Sequence, residues 1–395
     1  MRKYLPTKIA SYIGLVVQAV VNNFLPILFV ALQDVYGLSY EQLARIIVFN
    51  FVTQIITDLL TPKILNRLGY RGCAIMCQGT AALGLSLLGI LPRVMSDTYT
   101  AIIISVIIYA FGSGLMEVAL SPLVENLPSS NKKGSMAILH SFYCWGQAFT
   151  VLVTTALVAV FGYKNWTYIP LIWAVIPFIN MLSFLKVPIV EPPRDQKKDS
   201  FKTLFKNGRF RLYMVMMLAA GASEIAMAQW ASLFAQRALG VTKVVGDLAG
   251  PCAFAIFMGS GRIWYAVVAK RVSFKKTLIW LNIGAFICYV AVAVLKIEFL
   301  SLIFCALCGF TVSISWPGIY SAGARDFPTG SAVMYSVFAM CGDMGCTLGP
   351  WVLGIVADNL GLKFGFAAAS VFPLVMILAT ALMIKKDCKI QKNKI

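Results

Sequence analysis

Apolar residues gather into twelve runs along the 395-residue chain, at roughly 8–33, 42–62, 73–91, 99–125, 136–161, 166–186, 210–236, 246–268, 277–296, 299–324, 331–357 and 361–384. Each is near the ~20 residues a helix needs to cross the hydrocarbon of a bilayer. The polar interruptions between them are short, except at 187–209. That stretch reads Val187-Pro188-Ile189-Val190-Glu191-Pro192-Pro193-Arg194-Asp195-Gln196-Lys197-Lys198-Asp199-Ser200, and its prolines and charges preclude a buried span. The pattern predicts an all-α membrane protein of twelve transmembrane helices. It comprises a six-helix bundle over 1–190, a cytoplasmic linker over 191–208 and a second six-helix bundle over 209–395. The spans are numbered one to twelve in chain order.

Composition agrees. The chain is 59% hydrophobic with a mean hydropathy of +0.80, and 13% of residues are charged, against roughly 25% in soluble domains. A soluble protein this apolar could not cover its own surface, so a multi-pass protein of the cell membrane is expected. Met1-Arg2-Lys3-Tyr4 leads into a segment long enough to span, with no small-residue cleavage pattern. A net charge of +18 would also suit a nucleic-acid partner, but its distribution argues against one. With the N-terminus inside, 26 Lys and Arg residues fall on the cytoplasmic side and 7 outside, with Arg262 within a span. This asymmetry places both termini in the cytoplasm.

The two halves echo each other. Pro62-Lys63-Ile64-Leu65-Asn66-Arg67-Leu68-Gly69-Tyr70-Arg71 follows span two. Gly259-Ser260-Gly261-Arg262 to Lys270-Arg271-Val272-Ser273-Phe274-Lys275-Lys276 occupies the equivalent place after span eight. Parallel six-helix pseudo-repeats of this kind put a substrate site near the bilayer midplane. Twelve spans, a basic central loop and this Gly/Arg motif resemble the major facilitator superfamily. Asn66 stands where that motif carries Asp. Within the superfamily the chain resembles the fucose/glucose–proton symporter family. The resemblance rests on Asn22-Asn23-Phe24-Leu25-Pro26 in span one and on Gly112-x-Gly114-x-x-Glu117 with Pro122 and Leu127-Pro128 in span four. It also rests on Leu139-His140-Ser141-Phe142-Tyr143-Cys144-Trp145-Gly146 in span five and Gly342-Asp343-Met344-Gly345, Gly349-Pro350 and Gly354 in span eleven. The resemblance implies transport of a sugar-like solute with protons as the coupling ion, and a role for Glu117 in coupling or solute binding. It also implies an acid in span one, where this chain has Asn22.

Five of the sixteen acids lie inside spans: Asp58, Glu117, Glu125, Glu224 and Asp343. An ionisable group at that depth is a candidate functional site, and burial favours its neutral form, so it can load and release a proton. Glu117, Glu224 and Asp343 are the expected proton-coupling groups. The expected solute-binding set is Asn22, Asn23, Glu117, His140, Trp145, Gln147, Glu224, Gln229, Trp230 and Trp316. Amides suit hydroxyl groups and aromatic faces suit a sugar ring's C–H surface. A gating set comprises Asp58, Arg67, Arg71, Glu125, Arg262 and Arg325. Asp58 and Glu125 are candidates to pair with Arg67, Arg71 or Arg325, and Asp343 is a candidate carboxylate for Arg262. The blander alternatives are packed helix seams and snorkelling to the interface. The ten cysteines form no metal-ligand pattern, and Cys305-Ala306-Leu307-Cys308 on an apolar helix reads as packing. With no nucleophile–base pair, metal cluster or Gly-rich nucleotide loop, no enzyme, cofactor or metal is expected. The partners are the solute, protons and the lipid bilayer, and the chain is read as a monomer. An exporter of amphipathic compounds and a non-transporting solute receptor are the alternatives.

Overall fold

The computed structural model describes residues 2–28, 32, 35–38, 40–129, 131–190, 201–239, 242–295, 297–328 and 331–392. The 191–200 part of the expected linker, with Arg194, Lys197 and Lys198, lies outside the described residues. Nearly everything described is helical. Span one is Leu5–Ile27, span four Thr98–Glu125, span five Lys132–Phe161, span six Tyr168–Lys186, span seven Gly208–Leu239, span nine Phe274–Val294 and span eleven Ser331–Leu360.

Among the described residues, eleven segments are long and apolar enough to cross a membrane. One of them, Arg45–Val94, has 50 residues. At ~1.5 Å per residue it would measure about 75 Å, more than twice the ~30 Å hydrocarbon thickness. The backbone leaves the helix at Gly69, with φ 68° and ψ 178°. Tyr40–Val94 therefore holds spans two and three on either side of Gly69, and eleven segments supply the twelve expected spans.

Three further spans are interrupted. Span eight runs through Lys243–Asp247, a π-helical turn at Leu248–Cys252 containing Pro251, and Ala253–Val268. A proline offers no N–H to the ladder, and a wider turn accommodates the loss. Span ten breaks between Glu298–Val312 and Ser315–Asp326. Pro317 then sits in the first turn of the new helix, where its missing N–H has no helical acceptor to lose. Span twelve is Leu362–Ala369 followed by Val371–Lys392.

The chain forms two compact units. One comprises Met1–Ser129 and Phe142–Arg194, the other Ser130–Ser141 and Asp195–Ile395. In the first unit, glycine lets spans three and four touch: a Cβ on Gly112 would lie 2.6 Å from the Cys77 carbonyl oxygen. Asp97 caps span four, its carboxylate accepting from the Tyr99 and Thr100 amides at 3.0 and 3.3 Å. In the second unit, spans seven and eleven are joined the same way, a Cβ on Gly349 lying 2.5 Å from the Ala222 carbonyl. Large apolar side chains such as Trp280, Val267 and Val160 point outward, at 72%, 74% and 77% exposure. That arrangement belongs in acyl chains, where an apolar exterior carries no hydration penalty.

Candidate functional site

In the first unit, three spans carry polar side chains one helical turn apart: Gln18 and Asn22 in span one, Asn50 and Gln54 in span two, Ser113 and Glu117 in span four. Residues four apart share a helix face. The fold turns these faces together. Gln18 Nε2 donates to Glu117 Oε2 at 2.9 Å, with both residues buried. One turn along, Asn22 Oδ1 accepts from Gln54 Nε2 at 3.1 Å, Ser113 Oγ at 3.2 Å and Asn50 Nδ2 at 3.4 Å. Ser113 Oγ also reaches Gln54 Oε1 at 2.9 Å. Asn23 Nδ2 donates to the Ala19 carbonyl at 2.8 Å and meets Tyr143 Oη at 3.4 Å. Gly114 permits this convergence, because a Cβ there would stand 3.0 Å from the Gln54 carbonyl oxygen. The result is a carboxylate, amides and hydroxyls inside an apolar bundle, a donor–acceptor mixture that matches a polyhydroxylated solute.

The same unit holds Trp145 and Gln147 in span five, half-buried and buried respectively. Gly146 between them packs on Val16 and Ala19 of span one.

The second unit is organised by Arg262, which is 2% exposed. Its Nη2 meets Glu224 Oε2 of span seven at 3.3 Å. Nε donates to the Ser313 carbonyl at 3.0 Å, and Nη1 to the His140 carbonyl at 2.6 Å. Ser313 lies at the break in span ten, so the guanidinium takes a carbonyl that the interrupted helix has released. The carboxylate against Arg262 is thus Glu224, where the sequence offered Asp343. Spacing along one chain cannot decide which of two spans presents its acid to a third. Asp343 is itself buried in span eleven.

Aromatic rings line the same neighbourhood. His140 stacks on Tyr320 with centroids 5.6 Å apart, Tyr320 on Tyr335 at 5.0 Å, and Trp316 lies 6.2 Å from Tyr320. Trp316 packs over Gly342, where any Cβ would collide with the indole. Gln229 is exposed and Trp230 half-buried, its ring against Gly354.

The expected gating residues divide. Arg71 donates to the carbonyls of Phe184, Leu185 and Val187 at 2.7, 2.9 and 2.9 Å, closing the C-terminal end of span six. Arg67 is exposed, Asp58 is buried and Glu125 half-buried. Arg325 pairs with Asp326 at 3.3 Å. Asp326 also takes Arg209 at 3.7 Å and the Tyr213 hydroxyl at 3.0 Å, while Asp387 bridges Arg209 and Lys275.

Sequence reading missed Gln18, Asn50, Gln54, Ser113 and Tyr143. The four-residue polar spacing in spans one, two and four was the available signal for the first four. Tyr143 lies within the span-five motif, but that its hydroxyl meets Asn23 follows only from packing.

A family profile described as Major Facilitator Superfamily matches residues 11–350. Among solved structures, FucP, a Major Facilitator Superfamily transporter in the outward conformation, is similar with a TM-score of 0.80 and 18% identity, covering 96% of this chain and 99% of that one. A variant of the Escherichia coli fucose:proton symporter FucP gives the same TM-score, identity and coverage. The proton:xylose symporter XylE, bound to 6-bromo-6-deoxy-D-glucose, aligns with a TM-score of 0.80 and 13% identity, over 97% of this chain and 96% of that one. No curated protein sequence matches the chain. At such identities the likeness to the solved structures is one of fold. With a family profile spanning most of its length and a helical architecture to match, the chain is a multi-pass membrane transporter, not an enzyme, and belongs to the Major Facilitator Superfamily.

Proposed function

We propose that the protein moves a monosaccharide or a similar small polar solute by alternating access, coupled to protons through Glu117. The observation that carries this reading is the buried Glu117–Gln18 contact beside the Asn22 cluster. A buried carboxyl met by a neutral amide can exist in either protonation state without stranding an opposite charge. Neighbouring amides and hydroxyls offer the donors and acceptors that sugar hydroxyls need. Similar folds include those of a fucose:proton and a proton:xylose symporter, which favours the same solute class. Glu224 is assigned a different part. Held by Arg262, it keeps a buried cation neutralised at the span-ten break. Both termini are assigned to the cytoplasm on the distribution of Lys and Arg.

Purified protein in liposomes, given a panel of radiolabelled monosaccharides, tests the proposal. An inward proton gradient should accelerate uptake of at least one sugar. Glu117→Gln should flatten the response to the gradient at least tenfold while sugar counterflow persists. A Glu117→Gln protein that still responds to the gradient like wild type removes Glu117 from coupling. Absence of sugar uptake with export of amphipathic dyes would replace the solute class.

A further inference from the structure

The second unit gathers cations where the membrane-spanning part of span seven begins, at Gly208, and that of span twelve ends, at Asp387. The described acids there are already occupied. Asp387 bridges Arg209 and Lys275, and Asp326 takes Arg209, Arg325 and the Tyr213 hydroxyl. Lys386 and Arg211 stand beside this network and outside it. A Cβ on Gly208 would collide with the Lys386 ammonium, and the Arg211 guanidinium comes within 3.9 Å of the same point. Two cations thus converge over the first residue of span seven, and among the described residues no carboxylate pairs with either. Like charges held together repel, and Lys386 is half-buried, which reduces screening by water. An anion between them reverses the sign of that interaction.

Just before Gly208 the chain forms a short helix, Phe201–Lys206. Its Leu204 is buried, while Phe201 and Phe205 are each 44% exposed, with ring centroids 5.5 Å apart. Lys202 and Lys206 are exposed beside them. Asn207 turns this helix into span seven: its amide donates to the Leu204 carbonyl at 2.9 Å, and its Oδ1 accepts from the Arg209 amide at 2.8 Å. Rings and cations together at the mouth of a span suit two environments, acyl chains for the rings and the headgroup layer for the charges. We infer that Lys386 and Arg211 bind the phosphate of an anionic phospholipid whose chains lie against Phe201 and Phe205. Arg211 offers phosphate oxygens a planar fork and Lys386 a point charge. Basic pockets between spans at this level of a membrane suit anionic headgroups. The aromatic pair commits the site to a lipid, because a free phosphate has no use for it.

Thermal unfolding of the purified protein in detergent micelles tests this, with phosphatidylglycerol added against phosphatidylcholine of the same chains. Phosphatidylglycerol should raise the midpoint at least about 2 °C above the phosphatidylcholine value, since a ligand of the folded state stabilises by mass action. Each variant's midpoint in lipid-free micelles is its own reference. Arg211→Gln with Lys386→Gln should lose most of the rise. Lys276→Gln with Lys385→Gln removes the same charge from two exposed positions at the same end of the unit and should keep it. Equal loss in the two double variants would mean diffuse attraction to a charged surface and overturns the site. So does a wild-type protein that responds alike to both lipids. Phe201→Ser with Phe205→Ser should weaken the response, and an undiminished response there removes the chains from the site. If glycerol 3-phosphate, which has no chains, raises the midpoint as much as the lipid does, the occupant is a free phosphate ester and the lipid assignment falls.

Discussion

At the scale of single residues, Arg262 shows how a membrane interior tolerates a permanent cation. A guanidinium has five N–H donors and cannot shed its charge. In this structure those donors reach one carboxylate and two carbonyls from three other spans, together with the Met258 sulfur at 3.4 Å. The pair with Glu224 is buried on both sides, at 2% and 6% side-chain exposure. Removing one partner of such a pair leaves an uncompensated buried charge and costs about 3–5 kcal/mol. Arg262→Ala should therefore unfold much earlier than wild type in a thermal series in detergent. Arg262→Met combined with Glu224→Leu should recover most of the loss, since replacing both charges with apolar groups is close to neutral. Equal stability of the single and double variants would contradict a coupled pair. Glu117 differs in that its Oε2 accepts from the neutral amide of Gln18 at 2.9 Å.

At the scale of helices, the hydrophobic pattern predicted the number of spans and concealed how they are interrupted. Gly69 is the clearest case. Its φ of 68° and ψ of 178° lie in a region that only glycine occupies comfortably. Gly69→Ala should destabilise the first unit by about 1–3 kcal/mol. Gly79→Ala should not, because that backbone is helical and its new methyl would meet only the flexible Met181 sulfur at 3.1 Å. Comparable unfolding midpoints for the two variants would show that the backbone at Gly69 is unstrained by a side chain. The break in span ten was partly legible, because Pro317 marks a helix start, but its use was not: nothing in the sequence says that Arg262 receives the Ser313 carbonyl. The Asn22 cluster was more legible than the reading made of it. Gln18/Asn22, Asn50/Gln54 and Ser113/Glu117 share one spacing, but of the six only Glu117 is charged, and a neutral amide or hydroxyl in a span carries a weaker signal than a buried charge. Which acid meets Arg262 was beyond sequence, since span seven and span eleven each offered a buried carboxylate and only packing chooses.

For the whole molecule, the division of charge makes a directional statement that the helices themselves do not. Positive side chains are held on the cytoplasmic side during insertion, so the loop after span eight should lie inside and the turn between spans five and six outside. Lys164 and Arg271 are exposed positions in those two connections. The protein is well suited to a thiol-labelling test, because all nine described cysteines are buried. Cys388, whose side chain lies outside the described residues, can be replaced by Ser beforehand. In intact cells, a membrane-impermeant maleimide should then label Lys164→Cys and spare Arg271→Cys. After permeabilisation both should react to the same extent. The parent with Cys388→Ser sets the background and should remain unlabelled in both conditions, since a buried thiol does not meet a water-soluble reagent. Labelling of Arg271→Cys alone in intact cells would invert the assigned topology. It would also invert the direction of the proton gradient that Glu117 is proposed to use, because the side from which that carboxyl loads its proton follows from the orientation of the bundle.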